Sequence, residues 1–150
     1  MGVPHANADP RDDAVNARVQ ELLPWISAKT GYKADYVVPV IFFRSQDFLN
    51  KFYYGDNYRD GYMDVEAAAA GNVIFLREDF TLGEDDDTLV HEVTHTLQNE
   101  NGAEFPCNAA RERQAYDTQD LFVEEFGIGQ QTDLLMKLLL TSCPIGRGIP

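Results

Sequence analysis

His91-Glu92-Val93-Thr94-His95 is the stretch that most constrains the structure and chemistry of this chain. If these residues lie on a helix, the two histidines are four positions apart and project from the same face. Two imidazoles in that arrangement suit the binding of one Zn²⁺, and Glu92 is close enough to accept a proton from a water molecule without being a ligand. The stretch therefore predicts a helix that carries a zinc site and a general base.

The composition indicates one folded domain. The chain has 150 residues, of which 44% are hydrophobic and 11% are aromatic, which is enough for a packed core. The N-terminal segment is polar and contains Pro4 and Pro10. We therefore expect a flexible arm over residues 1–12 and a single domain over residues 13–150.

The charge and hydropathy of the chain exclude two classes of partner. The formal net charge of −13 argues against nucleic acid and against an anionic membrane surface, because both would repel the chain. No apolar run is long enough to predict a membrane span, and the N-terminus lacks the apolar segment of a signal peptide. We expect a monomer.

Cys107 and Cys143 are the two cysteines, and neither belongs to a Cys-x-x-Cys pair. They could form one disulfide or remain two buried free thiols. A disulfide would indicate an oxidising compartment. The expected location is therefore secreted or periplasmic, as a mature form, and a cytoplasmic location is the alternative.

The hydrophobic pattern predicts a small α+β domain. In chain order it predicts a helix over 13–30, a strand over 36–43, a short helix over 46–53, strands over 62–69 and 72–76, the motif helix, and helices over 108–126 and 132–140. Pro39 predicts an edge position or a bulge for the first strand. The strand over 72–76 should be central, and the alanine-rich strand before it should lie at an edge.

Local signals predict the ends of these helices. Ser45 should cap the short second helix, and Gly102 should end the motif helix. The acidic run 84–87 is interpreted as a complement to the macrodipole of the motif helix. Val90, Val93 and Leu97 lie opposite the histidines and should pack against the sheet.

A catalytic zinc site usually has a third protein ligand. His5 lies in the expected arm, and Glu104 lies in the turn after the motif helix. Glu124 and Glu125 lie near the far end of the next helix and are typical of solvated charge. Glu112 lies near the start of that helix.

The combination of His-Glu-x-x-His with Glu-x-x-Ala on a second helix resembles the gluzincin zinc peptidases, the clan of thermolysin. The compact size is similar to the minigluzincins, with the form His-Glu-x-x-His-x-x-Gln. The matching positions are His91, Glu92, His95, Gln98, Glu112 and Ala115. The resemblance implies a compact zincin-like domain with a small mixed sheet, in which the motif helix and a glutamate-bearing helix hold one Zn²⁺.

The resemblance also implies the roles of individual residues. His91, His95 and Glu112 would bind the zinc, and Glu92 would act as general base in peptide hydrolysis. Asp117 is the alternative third ligand.

Other residues are candidates for supporting roles. Small domains of this kind often have Asp directly after the alanine, where this chain has Tyr116 followed by Asp117. Asp117 is therefore expected to orient a histidine, unless Tyr116 contacts the site instead. Gln98 lies one turn beyond His95 and is interpreted either as a support for the site or as an exposed glutamine.

A donor for the oxyanion is also needed. Tyr116 is the first candidate, because it lies one helical turn after Glu112 on the same face. The weaker candidates are Tyr58, Tyr62, Arg111 and Arg113.

The leading hypothesis is a small zinc-dependent endopeptidase. Its peptide or protein substrate could bind as an added strand along the edge formed by residues 62–69. One alternative is a non-catalytic interaction module that zinc stabilises. Another is a toxin or effector protease with one narrow protein target.

Overall fold

The computed structural model describes residues 9–144 and places a three-stranded sheet among five α-helices in that part of the chain. The elements are α1 (Asp12–Thr30), β1 (Val40–Arg44), α2 (Gln46–Tyr54), a short 3-10 helix (Gly55–Asn57), β2 (Ala67–Ala70), β3 (Val73–Arg77), α3 (Asp86–Glu100), α4 (Asn108–Phe126) and α5 (Leu134–Thr141). The predicted α+β class is confirmed. Residues 1–8 of the expected arm, including His5, lie outside the described residues.

The sheet is mixed, with the strand order β1-β3-β2. β1 runs parallel to β3, and β2 runs antiparallel to it. The predictions of a central β3 and of edge positions for β1 and β2 are therefore confirmed. Alternate residues of β1 and β3, Ile41 and Phe43 together with Ile74 and Leu76, are buried in the core.

Two of the strands are shorter than the sequence predicts. β1 begins only at Val40, because Pro39 has no backbone N–H and Tyr36 occupies a turn with φ of 62°. β2 begins only at Ala67, because the preceding segment bonds to side chains instead of a strand. The Asn50 side chain donates to Asp64 Oδ1 and accepts the backbone N–H of Val65.

The N-terminal end of the described chain is attached to the domain. α1 begins at Asp12, and the Arg11 guanidinium before it donates to the carbonyl oxygens of Glu78 and Phe80. The same group lies 3.7 Å from the centroid of the Phe43 ring. Residues 9–11 thus contact the loop after β3, which differs from the expectation of a free arm.

α3 is the central helix, buried on almost every side. Val90, Val93 and Leu97 are fully buried in the hydrophobic core, as predicted. The opposite face of the helix packs against α4. The helix ends at Glu100, and Gly102 lies just beyond the C-cap with φ of 60°.

The acidic run before α3 does more than complement the helix dipole. Asp86 is buried, accepts the backbone N–H of Gly83, and forms an ion pair with Arg18 of α1 at 2.8 Å. Asp87 is also buried and faces α4. The interpretation of these residues as capping charge alone was wrong, because their side chains make tertiary contacts.

The segment that directly follows α5 is linked to the start of α4. In the structure Cys107, the N-cap residue of α4, forms a disulfide with Cys143, which follows α5. Lys137 of α5 adds an ion pair with Asp120 of α4 at 2.8 Å. These links fix α5 against α4. No helix in the part of the chain that the structure describes is long and apolar enough to span a membrane.

Candidate metal centre

Three side chains from two helices converge at one point. His91 Nε2 lies 3.2 Å from Glu112 Oε2, and His95 Nε2 lies 2.7 Å from Glu112 Oε1. All three potential ligand atoms lie within 4.8 Å of one another. The group combines the imidazole nitrogens and carboxylate oxygen that bind Zn²⁺ in proteins.

The convergence follows from the packing of α3 on α4. The four-residue spacing places both histidines on one face of α3, and that face meets α4. Ala115 of α4 is fully buried, and its small side chain allows the helices to approach closely. The disulfide at Cys107 anchors the end of α4 from which Glu112 projects, one turn into the helix.

The Nδ1 side of the His91 ring contacts the side-chain amide of Gln119. This Nδ1 lies 3.0 Å from Oε1 of Gln119, which is located on α4. The Nε2 group of the same amide donates to Asp87 Oδ2 at 3.1 Å. His91 is therefore connected through Gln119 to a buried carboxylate.

His95 has a similar support. Its Nδ1 lies 2.8 Å from Oε1 of Gln98, which is only 1% exposed. The Gln98 amide donates to the carbonyl oxygen of Arg111 and to Oε1 of Gln114, both at 3.0 Å. Of the two interpretations of Gln98, the structure has the one in which it supports the site.

The two amides determine which ring nitrogen of each histidine carries hydrogen. An amide oxygen can only accept, so each Nδ1 must be the donor in its contact with Gln119 or Gln98. In the neutral form of each imidazole, Nε2 then has the lone pair, and this is directed at the convergence point. This is the tautomer that metal ligation through Nε2 requires.

Glu92 lies beside this group with an unpaired carboxyl oxygen. The residue is 6% exposed, and its buried Oε2 has no hydrogen-bond partner among residues 9–144. Nε2 of His95 is likewise buried without an aligned hydrogen bond, although it lies near Glu112. Buried polar atoms are rarely left without a partner. A cation at the convergence point, with a water molecule beside it, would give both atoms partners, so the residues fit a bound metal ion.

The electrostatics of the centre arise from burial and from close opposite charges. Burial raises the pKa of Glu92, and the two histidines offset this only in part. Burial would also raise the pKa of Glu112, but its contacts with His91 and His95 outweigh that effect and hold the pKa well below its ordinary value. Burial would lower the pKa of His95, yet the adjacent carboxylates raise it.

Asp117 does not have either of its predicted roles. Its side chain is 52% exposed and forms an ion pair with Lys137 of α5. It lies five residues after Glu112, which places it about 140° around the helix from that ligand. The predictions that Asp117 orients a histidine or serves as third ligand were wrong for this reason.

Like Arg111, Tyr116 lines the space beside the centre, and it is the predicted oxyanion donor whose ring contacts a histidine. Its ring centroid lies 4.5 Å from that of His91, and burial raises the pKa of its hydroxyl. The guanidinium of Arg111 already donates to His95 O and to Asn99 Oδ1. The remaining candidates lie elsewhere: Arg113 is exposed beside Asp117, and Tyr58 and Tyr62 pack with Tyr54.

Sequence reasoning missed three residues at the site. Gln119 lies seven positions after Glu112, almost two full turns, and Asp87 lies four positions before His91. Helical spacing therefore placed both on the faces that meet, and this signal could have revealed them. Tyr53 of α2 also lines the space beside the centre, but nothing in its local sequence indicated that.

The group of His91, His95 and Glu112 opens into a cleft of about 630 Å³. One wall is the edge strand β2, through Ala67, Ala68 and Ala69, and another is α2, through Phe52 and Tyr53. The β2 wall overlaps the segment that was predicted to receive a peptide. The small alanine side chains leave space for an extended backbone beside them.

A family model described as a domain of unknown function, DUF6647, matches residues 11–148. The chain belongs to the DUF6647 family. No curated protein and no solved structure matches the chain. For this DUF6647 domain, the chemistry must therefore be inferred from the centre itself.

Proposed function

We propose that this DUF6647 domain is a zinc-dependent endopeptidase with a zincin-like fold. His91, His95 and Glu112 would hold one Zn²⁺, in agreement with the donor types and the convergence of their atoms. When bound, the ion would polarise a substrate carbonyl and increase the acidity of water. The observation that carries the proposal is the buried, unpaired carboxyl of Glu92 beside a three-ligand group.

The residues of the chain have distinct tasks in this reaction. Glu92 takes a proton from the water molecule that attacks the carbonyl carbon, and it returns the proton to the leaving amine as the C–N bond breaks. Tyr116 would donate a hydrogen bond to the carbonyl oxygen as negative charge develops there, in agreement with the contact of its ring with His91. Gln98 and Gln119 keep the Nε2 lone pairs of the histidines directed at the metal position.

The cleft supports a peptide as the substrate class. An extended peptide can add to the edge strand β2, where main-chain hydrogen bonds provide affinity without a strict sequence requirement. The disulfide between Cys107 and Cys143 favours a secreted or periplasmic enzyme.

The main competing hypothesis is a non-catalytic module stabilised by zinc. Structural zinc sites are usually closed by four protein ligands, whereas this group offers three and opens into a cleft. A structural zinc site would also have no use for a buried carboxyl that lies beside the three ligands without being one of them. Both observations favour the enzyme.

The test combines metal analysis with a peptide-library cleavage profile. The wild-type protein should bind one zinc per chain and cleave peptides, and Glu92→Gln should retain the zinc but lose turnover. Glu124→Gln is the matched control, because Glu124 lies on the exposed side of α4. Zinc binding without cleavage of any library peptide or protein substrate would refute the endopeptidase, and cleavage only of a single protein would favour the narrow-specificity alternative.

A further inference from the structure

We infer that Asp87 is a positioning residue that sets the zinc affinity of the site through the Gln119 amide, and that Gly129 is required to keep Asp87 in place. The inference rests on the proposed zinc site and concerns residues that are not ligands. Three contacts carry it: His91 Nδ1 with Gln119 Oε1, Gln119 Nε2 with Asp87 Oδ2, and the approach of Gly129 to the Asp87 carboxylate.

The amide of Gln119 can face His91 in two orientations. With its oxygen toward the ring, it accepts hydrogen from Nδ1 and leaves Nε2 free to bind the metal. With its NH₂ group toward the ring, it donates to Nδ1 and displaces hydrogen to Nε2, which then cannot be a ligand. The identity of the group on the other side of the amide decides between the two.

Asp87 determines the orientation of the Gln119 amide, because an ionised carboxylate is only an acceptor. It can receive the NH₂ group of Gln119 but cannot donate to the amide oxygen, so the oxygen must face His91. An asparagine at position 87 could present either its oxygen or its NH₂ group, and the amide of Gln119 would then adopt both orientations.

The Asp87 carboxylate accepts a side-chain hydrogen bond from Gln119 and forms no ion pair in the described chain. The residue is 8% exposed, and among residues 9–144 no lysine or arginine forms an ion pair with it. Asp86, its neighbour on the same turn, is also buried but is paired with Arg18 of α1. The two aspartates are alike in chemistry and burial, yet only Asp87 faces the metal centre.

Gly129 lies in the loop between α4 and α5 and is close to the Asp87 carboxylate. A Cβ added at this position would lie 2.2 Å from Asp87 Cγ and 2.4 Å from Oδ2. These distances are far below a van der Waals contact, so any side chain at position 129 would displace the carboxylate from Gln119. By contrast, Gly127 in the same loop also has a positive φ, but an added Cβ would meet nothing within 4 Å.

The experiment measures the zinc affinity of the full chain by competition with a chromogenic chelator and, separately, the melting temperature of the metal-free protein. Gln119→Leu should weaken zinc binding by roughly 10- to 100-fold, the usual effect of removing such a support. Asp87→Asn should weaken it by about two- to tenfold, because a mixed amide orientation leaves only a fraction of the protein competent. Gly129→Ala should weaken it to a similar degree.

Two matched controls separate positioning from stability. Asp86→Asn and Gly127→Ala should lower the melting temperature of the metal-free protein but leave the zinc affinity unchanged. A double-mutant cycle then tests the path of the effect. If Asp87 acts through the amide, Asp87→Asn should cause no further loss of zinc affinity in the Gln119→Leu background.

Each result has a definite meaning. Additive losses in the cycle, or equal losses of zinc affinity in the Asp86→Asn control, would overturn the inference while leaving the zinc site intact. Unchanged affinity in Asp87→Asn, Gln119→Leu and Gly129→Ala would do the same. A wild-type protein that binds no zinc would overturn this inference together with the proposed function.

Discussion

Removing the disulfide should destabilise the domain by an amount that the chain separation determines. Cys107 and Cys143 are 36 positions apart and form the covalent link between the start of α4 and the end of α5. For a loop of this length, the chain-entropy model gives a loss of about 4 kcal/mol in the free energy of unfolding at 25 °C when both cysteines are replaced by serine. In a domain of this size, the melting temperature should fall by about 8–16 °C.

The structure explains why other contacts of α5 cannot make up for the lost cross-link. Leu134, Leu135 and Leu139 are 65–71% exposed, so the helix buries little apolar surface of its own. The ion pairs of Lys137 with Asp117 and Asp120 remain, but partly exposed pairs contribute little. α5 should therefore be the first element to detach in the double variant.

The assay is urea unfolding of the metal-free protein, followed by circular dichroism and by the fluorescence of Trp25. Wild-type protein treated with a reductant is the control, and its transition should coincide with that of Cys107→Ser/Cys143→Ser. A double variant with the midpoint of the oxidised wild type would refute the reasoning. Reduced wild type that unfolds like the oxidised form, while the double variant is weakened, would assign the loss to the serine side chains.

Two further substitutions test the chemistry and the packing separately. Tyr116→Phe should lower kcat by roughly 10²- to 10³-fold with no change in zinc affinity, because it removes one donor to the developing oxyanion; an unchanged kcat in steady-state assays would exclude that role. Arg18→Met should lower the free energy of unfolding by about 3 kcal/mol in urea titrations, because it leaves the buried Asp86 without its cation. The double variant Arg18→Met/Asp86→Asn should recover part of that loss, and a failure to recover would mean that the ion pair is not the cause.

The helices could be predicted from sequence because their signals are local. α1 and α4 match the predicted ranges to within a residue, since apolar spacing and the glycines at positions 31 and 127 act over a few positions. The strand over 62–69 was predicted too long for the opposite reason. Asn50 bonds to that segment across 15 positions of sequence, and no local pattern reports such a contact.

The sequence identified the residues of the candidate site that share a helical face. It gave the wrong role to a residue that was judged by its neighbours in sequence. Asp117 was predicted to orient a histidine or to bind the metal because it is an acid close to Glu112 in sequence. It lies on a different side of α4 and pairs with Lys137. Gln119 lies farther away in sequence but returns to the Glu112 face after almost two turns. Its role also depends on Asp87 from another helix, which only the packing of α3 on α4 brings within reach.

The burial of polar groups around the centre is consistent with the proposed reaction site. α3 places Asp87, His91, Glu92 and His95 in the interior, where uncompensated polar atoms reduce stability. The amides of Gln98 and Gln119 satisfy the Nδ1 side of each histidine, so the compensation there is complete. Glu92 Oε2 and the convergence point have no such partner, and these are the places where the proposed hydrolysis would need a proton acceptor and a cation. Single oxygens of Asp12, Asn16 and Asn72 are also buried without a partner. It is therefore the position of the Glu92 carboxyl beside three potential metal ligands, more than its lack of a partner, that supports the proposed catalysis.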